Sequence, residues 1–171
     1  APSLYDAIFA AGEAFGLKHA GYHAMNTLRL EAGYRHWGHD ITDEDTPLEA
    51  GLGVAVGWEK ASFKGREALL AQRDLPRTKR LIQFRLEDPD RLLYHDEPIF
   101  RDGVFVGRTS SGMWSYVEDR CLAMGYLNNP GGVAKDWVEA GSFEIEVAME
   151  RIPATASIRS FYDPMNRRVR L

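Results

Sequence analysis

The chain has 171 residues, of which 44% are hydrophobic and 27% charged, and carries a formal net charge of -4. These are ordinary values for a globular protein with a substantial core, one large domain or two small ones, and the mild negative balance gives no bulk attraction to nucleic acid. The single cysteine, Cys121, cannot make an intrachain disulfide or a zinc cluster alone, and no apolar run reaches the ~18 residues of a membrane span.

The N-terminus begins with Ala1-Pro2 and lacks the basic and apolar regions of a secretory signal. That start is compatible with processing or with a piece of something longer. Ser3 reads as an N-cap with Asp6 at capping-box spacing. Leu4, Ile8, Ala11 and Phe15 fall on one helical stripe, and Gly16 is a stop. A second, shorter helix is expected from Tyr22 to about Arg29. A loop dense in Gly, charge and aromatic rings follows, with Gly33, Tyr34, Trp37, Gly38 and, further on, Gly51. Leu52, Val54 and Val56 alternate with Gly53 and Ala55, which predicts a strand over 51–58. A helix is expected over 64–72, with Leu69 and Leu70 on its buried face.

The polar, proline-containing segment 73–80 reads as a boundary between domains at 1–76 and 77–171. Beyond it the period changes to two, with Leu81, Gln83 and Arg85 set against Ile82, Phe84 and Leu86. Asp102-Gly103 between apolar runs is a hairpin signal. Residues 107–112 read as another tight segment. Strands are expected over 122–127, around Phe143, Ile145 and Val147, and over 154–161, while Pro153 argues against a central strand. The fold class is therefore α+β: a mixed, mostly helical first part and a small antiparallel β-barrel, partly closed.

Chemistry concentrates at the loop. The Glu31 carboxylate has the geometry to accept two N–H bonds from an amidine-like edge such as a 2-amino-4-oxo pterin. Trp37, Tyr34 and Tyr22 offer rings for stacking. The blander reading of Glu31 is a structural partner of Arg29 or Arg35, and of Trp37 a core residue. Arg29, Arg35, Lys60, Lys64 and Arg66 are cations suited to a ligand carboxylate or to weak surface pairs. His19 with His23, and His36 with His39, have ligand-like spacing, but Gly21 and Gly38 interrupt them, so no metal is expected. Cys121 reads as packed rather than nucleophilic. There is no nucleophile elbow, phosphate loop or dinucleotide fingerprint, and Ser110-Ser111-Gly112 reads as a turn.

The run Leu28-Arg29-Leu30-Glu31-Ala32-Gly33, with Gly38-His39-Asp40 and Thr46-Pro47-Leu48-Glu49-Ala50-Gly51-Leu52 behind it, resembles the C-terminal part of the aminomethyltransferase family, the T-protein of the glycine cleavage system. Phe63-Lys64-Gly65-Arg66-Glu67-Ala68-Leu69, Thr109-Ser110-Ser111-Gly112 and Ala123-Met124-Gly125-Tyr126 continue the resemblance over nearly the whole chain. Gly33-Tyr34-Arg35-His36-Trp37 resembles more narrowly the folate-binding regions of dimethylglycine and sarcosine dehydrogenases.

The resemblance implies a tetrahydrofolate-binding region in a three-part fold whose last part is a β-barrel. It implies that Glu31 holds the pterin and places Lys60 near the folate tail, for which Arg151 and Arg159 are further candidates. It assigns no catalytic residue. The aspartate associated with one-carbon transfer in the family belongs to a longer N-terminal region, and FAD belongs to that missing part or to a partner. The implied function is the C-terminal folate-binding portion of an enzyme that demethylates a small amino-acid amine, the isolated chain being weak or inactive. The alternatives are a scaffold packing against a partner oxidase and a folate-binding regulatory or repair protein. Neither nucleic acid nor a membrane is an expected partner. The expected compartment is the cytoplasm or the mitochondrial matrix.

Overall fold

The computed structural model describes residues 1–168, so the last residues of the second expected domain lie outside the description. Helix α1 covers Pro2–Gly12 and runs into a 3-10 turn ending at Gly16. Proline at the first position has no N–H to lose and a preset φ. The helix therefore opens one residue ahead of the expected cap, with Ala1 at the N-cap and no side-chain capping bond. The expected stripe buries nothing. No residue of α1 is buried, Leu4 and Ile8 are exposed, and Phe15 is 90% exposed. Its rings turn to one another instead, with His19 stacked on Phe9 at 4.3 Å.

Helix α2 spans Tyr22–Glu31, so Glu31 closes a helix rather than opening the loop. Residues 51–58 form no strand. They hold a short 3-10 turn at Gly53–Ala55, on bonds from the Ala55 N–H to the Leu52 carbonyl and from Val56 to Gly53. Val54 at the tip is 93% exposed. The residues alternating with Leu52, Val54 and Val56 are Gly and Ala, which gives no polar strand face to set against an apolar one. Helix α3 covers Arg66–Arg73, with Leu69 and Leu70 half-buried.

Six strands follow: β1 Lys79–Leu86, β2 Pro98–Arg101, β3 Val104–Ser115, β4 Arg120–Asn128, β5 Phe143–Val147 and β6 Glu150–Ser157. A short helix α4, Lys135–Glu139, precedes β5. The strands close fully in the order β1-β4-β3-β2-β5-β6, with every pair antiparallel. Asp102 and Gly103, both at positive φ, make the two-residue turn between β2 and β3. Residues 107–112 are not a turn but the middle of β3. Pro153 lies inside β6, where its carbonyl accepts the Glu87 N–H at 2.9 Å just beyond the end of β1. The N–H that proline lacks would point the same way, past the ladder, so little is lost.

The barrel core gathers Ile82, Phe84, Leu86, Ile99, Leu127, Ile145 and Ile152 with the fully buried Cys121. Each such aliphatic side chain contributes about 1.5–3 kcal/mol. Burial also pushes the Cys121 thiol up. A second cluster, Leu30 with Leu81, Leu122 and Met124, seats α2 on β1 and β4. Among the described residues no helix is long and apolar enough to cross a membrane.

Candidate functional site

The C-terminal end of α2 and the loop after it are tied to the barrel by buried polar groups. The Gln83 side chain on β1 donates to the Leu30 carbonyl and accepts the Phe161 N–H at 2.8 Å, which fixes the helix end and the tail together. Asp40, fully buried, accepts from the Arg29 guanidinium, the His36 N–H and the hydroxyls of Ser110 and Ser111. Two consecutive strand hydroxyls reach one carboxylate because the β3–β4 register slips between Thr109 and Ser111. The extra residue of such a bulge rotates its neighbours off the regular alternation.

The following turn carries its own box. The Thr46 N–H and hydroxyl donate to Glu49, and the Glu49 N–H donates back to the Thr46 hydroxyl. That turn presents the Glu49 carbonyl to the Leu81 N–H and the Ala50 carbonyl to the Arg35 Nε at 3.0 Å.

Between this loop, β1, β4 and the tail lies a cleft of about 520 Å3, lined among others by Tyr34, Arg35, Met124, Arg159 and Asn166. Its size suits a ligand of some tens of atoms. Arg35 gives Nε to Ala50 and Nη1 to the Gly33 carbonyl. It has no carboxylate partner among the described residues. Burial pulls its pKa down, and the charges of Asp40 and Tyr126 only partly oppose this. Its Nη2 lies over Gly51, where an added Cβ would sit 2.8 Å away and φ is +71°. Only glycine leaves room for this guanidinium at that backbone angle.

The four residues expected to hold a ligand are not gathered in one place. Tyr34 lines the cleft and is 50% exposed. Trp37 is 67% exposed and not a core residue, Lys60 is exposed, and neither lines the cleft. Glu31 is 3% exposed and turned toward the barrel, where Oε1 accepts from the Ser115 hydroxyl at 2.7 Å and the Val117 N–H at 3.2 Å. Its other oxygen has no partner among the described residues. Its partners are therefore neither Arg29 nor Arg35. Sequence reasoning missed Asp40, Ser110 and Ser111 as a hub, and left Arg35 as one cation of several. Gly38-His39-Asp40 inside a family-like run was the available signal.

His36 and His39 stack on each other at 4.6 Å. Among the described residues no three His, Cys, Asp or Glu side chains are arranged to hold a metal ion.

Residues 1–60 match the GCVT N-terminal domain, and residues 79–163 match the glycine cleavage T-protein C-terminal barrel domain. The chain belongs to the glycine cleavage T-protein family. Within it, human mitochondrial sarcosine dehydrogenase is 38% identical over 98% of this chain and 18% of its own length. The mouse mitochondrial pyruvate dehydrogenase phosphatase regulatory subunit is 36% identical over 91% of this chain and 19% of its own. The crystal structure of the glycine cleavage system aminomethyltransferase T from Bartonella henselae superposes with a TM-score of 0.70 at 27% identity, covering 82% of this chain and 38% of that one. The chain thus spans about a fifth of the length of the curated relatives it matches. As in the T-protein architecture, the helical part comes first and the closed barrel follows.

Proposed function

We propose that this T-protein relative is the folate-binding portion of a one-carbon enzyme, either an aminomethyltransferase or a dehydrogenase of a small N-methylated amino acid. The observation that carries the reading is Arg35, a desolvated guanidinium without a carboxylate partner among the described residues, facing a ligand-sized cleft beside an exposed tyrosine ring. A reduced folate fits that donor set, with a flat ring for Tyr34 and a glutamate carboxylate for Arg35. Arg159, in the same cleft, is a second tail contact. Glu31 enters through its unpartnered oxygen, as the acceptor for the pterin edge, while Trp37 and Lys60 extend the contact outside the cleft.

Tetrahydrofolate supplies the nitrogens that take up a one-carbon unit. The chain's own part is to hold the acceptor still, which makes capture effectively intramolecular. FAD and the amine substrate belong to another part of the parent enzyme or to a partner. The division into domains at residues 76 and 77 and a mitochondrial-matrix location, after the mitochondrial animal relatives, belong to the same proposal.

The test is anaerobic calorimetric titration of the chain with tetrahydrofolate, beside Arg35→Gln, Tyr34→Ala and Glu31→Gln. Arg35→Gln is expected to weaken binding about tenfold or more, the worth of one charge-assisted hydrogen bond. Unchanged affinity in all three variants would sink the assignment. A second reading, a non-catalytic regulatory or scaffold module, is favoured by the mouse relative, itself named a regulatory subunit. Binding of a partner oxidase without binding of folate would select it.

A further inference from the structure

Beside the cleft, and sharing Gly51, Val54, Leu81 and Ile158 with it, lies a second groove of about 340 Å3. Its polar lining comes from Arg73, Arg77 and Arg80, with Trp58 on the same wall. Arg80, half-buried in β1, donates Nη1 to the Val133 carbonyl at 3.2 Å, and its Nε is buried without a partner. The Arg77 side chain has neither hydrogen bond nor ion pair among the described residues. Arg73 stacks over the Trp58 ring at 5.3 Å and reaches only the exposed Asp74, at 3.5 Å. Burial first, and then the charge of Arg77, pull the Arg80 pKa down, so the two guanidinium groups lie within electrostatic reach of each other. Like charges taken partly out of water, with one donor orphaned, are costly. An anion bound between them relieves both penalties.

We propose that Arg77 and Arg80 form a second anion subsite, which takes a doubly charged group next to the ligand of the cleft. Two sources have this chemistry: further carboxylates on the tail of the cleft's own ligand, and a free phosphate-type anion. The tail source rests on the folate reading above, whereas the free anion does not.

The experiment titrates the 171-residue chain with inorganic pyrophosphate and with tetrahydrofolate bearing one and three γ-linked glutamates. It is repeated on Arg77→Gln, whose side chain makes no bond that folding needs, and on the Arg77→Gln/Arg80→Gln pair. For the tail source, the triglutamate binds about tenfold tighter than the monoglutamate in the native chain. That ratio falls towards one in both variants, while monoglutamate affinity stays within about twofold. For the free anion, pyrophosphate binds the native chain and is lost in the variants, whether or not folate binds. Failure of folate alone therefore overturns the folate reading and leaves the subsite standing. Absence of pyrophosphate binding, together with a tail-length ratio of one or no folate binding in the native chain, overturns the subsite, as does a pyrophosphate affinity or a tail-length ratio that survives both variants unchanged.

Discussion

Glu31, the last residue of α2, accepts a hydrogen bond at 2.7 Å from the Ser115 hydroxyl at the last residue of β3, 84 positions along the chain. The Val117 N–H reaches the same oxygen at 3.2 Å. A buried carboxylate accepting two bonds at one oxygen holds the helix end against the barrel. Glu31→Gln weakens both bonds, and we expect it to cost about 1–3 kcal/mol of stability. Ser115→Ala should cost less, because the Val117 N–H remains. Denaturant melts of the two variants check the order. A Glu31→Gln variant of native stability that has lost folate binding would show a carboxylate serving only the ligand.

Asp40 carries a heavier burden, since it compensates the Arg29 charge inside the protein. Asp40→Ala leaves that guanidinium uncompensated, and about 3–5 kcal/mol of destabilisation is expected. The Arg29→Met/Asp40→Leu pair should recover part of this loss. A double-mutant cycle closed with the Arg29→Met and Asp40→Leu single variants measures the coupling from the melting curves. Additive single effects would mean that the contact contributes no coupling.

The Asp45–Lys79 pair predicts an acid limb. Burial raises the Asp45 carboxyl, but the hydrogen bonds from Lys79 and Thr42 and the charge of Lys79 outweigh it, and the pKa ends below the usual value. A carboxyl depressed on folding contributes stability that is present above its unfolded pKa, about 3.9, and is lost as pH falls through the folded value. Asp45→Asn should therefore be less stable than the native chain at neutral pH, and the difference should shrink below about pH 4. Melts from neutral to strongly acidic pH read both limbs, and a gap that stays constant would contradict the assignment.

Gly51→Ala tests the seat of Arg35. The substitution meets Nη2 at 2.8 Å and a φ of +71°, so about 1–3 kcal/mol of strain is expected. Folate affinity should fall in step with that of Arg35→Gln. Strain without loss of affinity would show that the guanidinium can bind from another position.

The barrel was legible in sequence because period-two patterning and Asp102-Gly103 encode it locally. Full closure depends on β6 pairing with β1, and Pro153 disguised that strand. The 51–58 segment misled because alternation with Gly and Ala carries no polarity. α1 misled differently: a stripe states which face is apolar, not whether a neighbour covers it. At the site, Tyr34 and Glu31 stood out by residue type. The inward turn of Glu31 follows from the far end of β3, and the Asp40 hub follows from a one-residue slip in a ladder. Neither is written near the residues it organises.

Closure of the barrel constrains how the molecule can associate. Each of the six strands has a hydrogen-bonded neighbour on both sides, so among the described residues the barrel has no edge strand to offer an incoming chain. Association by strand addition along a whole free edge, whether by a physiological peptide or in edge-to-edge polymerisation, is therefore disfavoured for this half of the protein. A partner is then met mainly through side chains, among them the exposed rings and aliphatic groups of the two N-terminal helices, such as Leu4, Tyr5, Ile8, Tyr22, Met25 and Leu28.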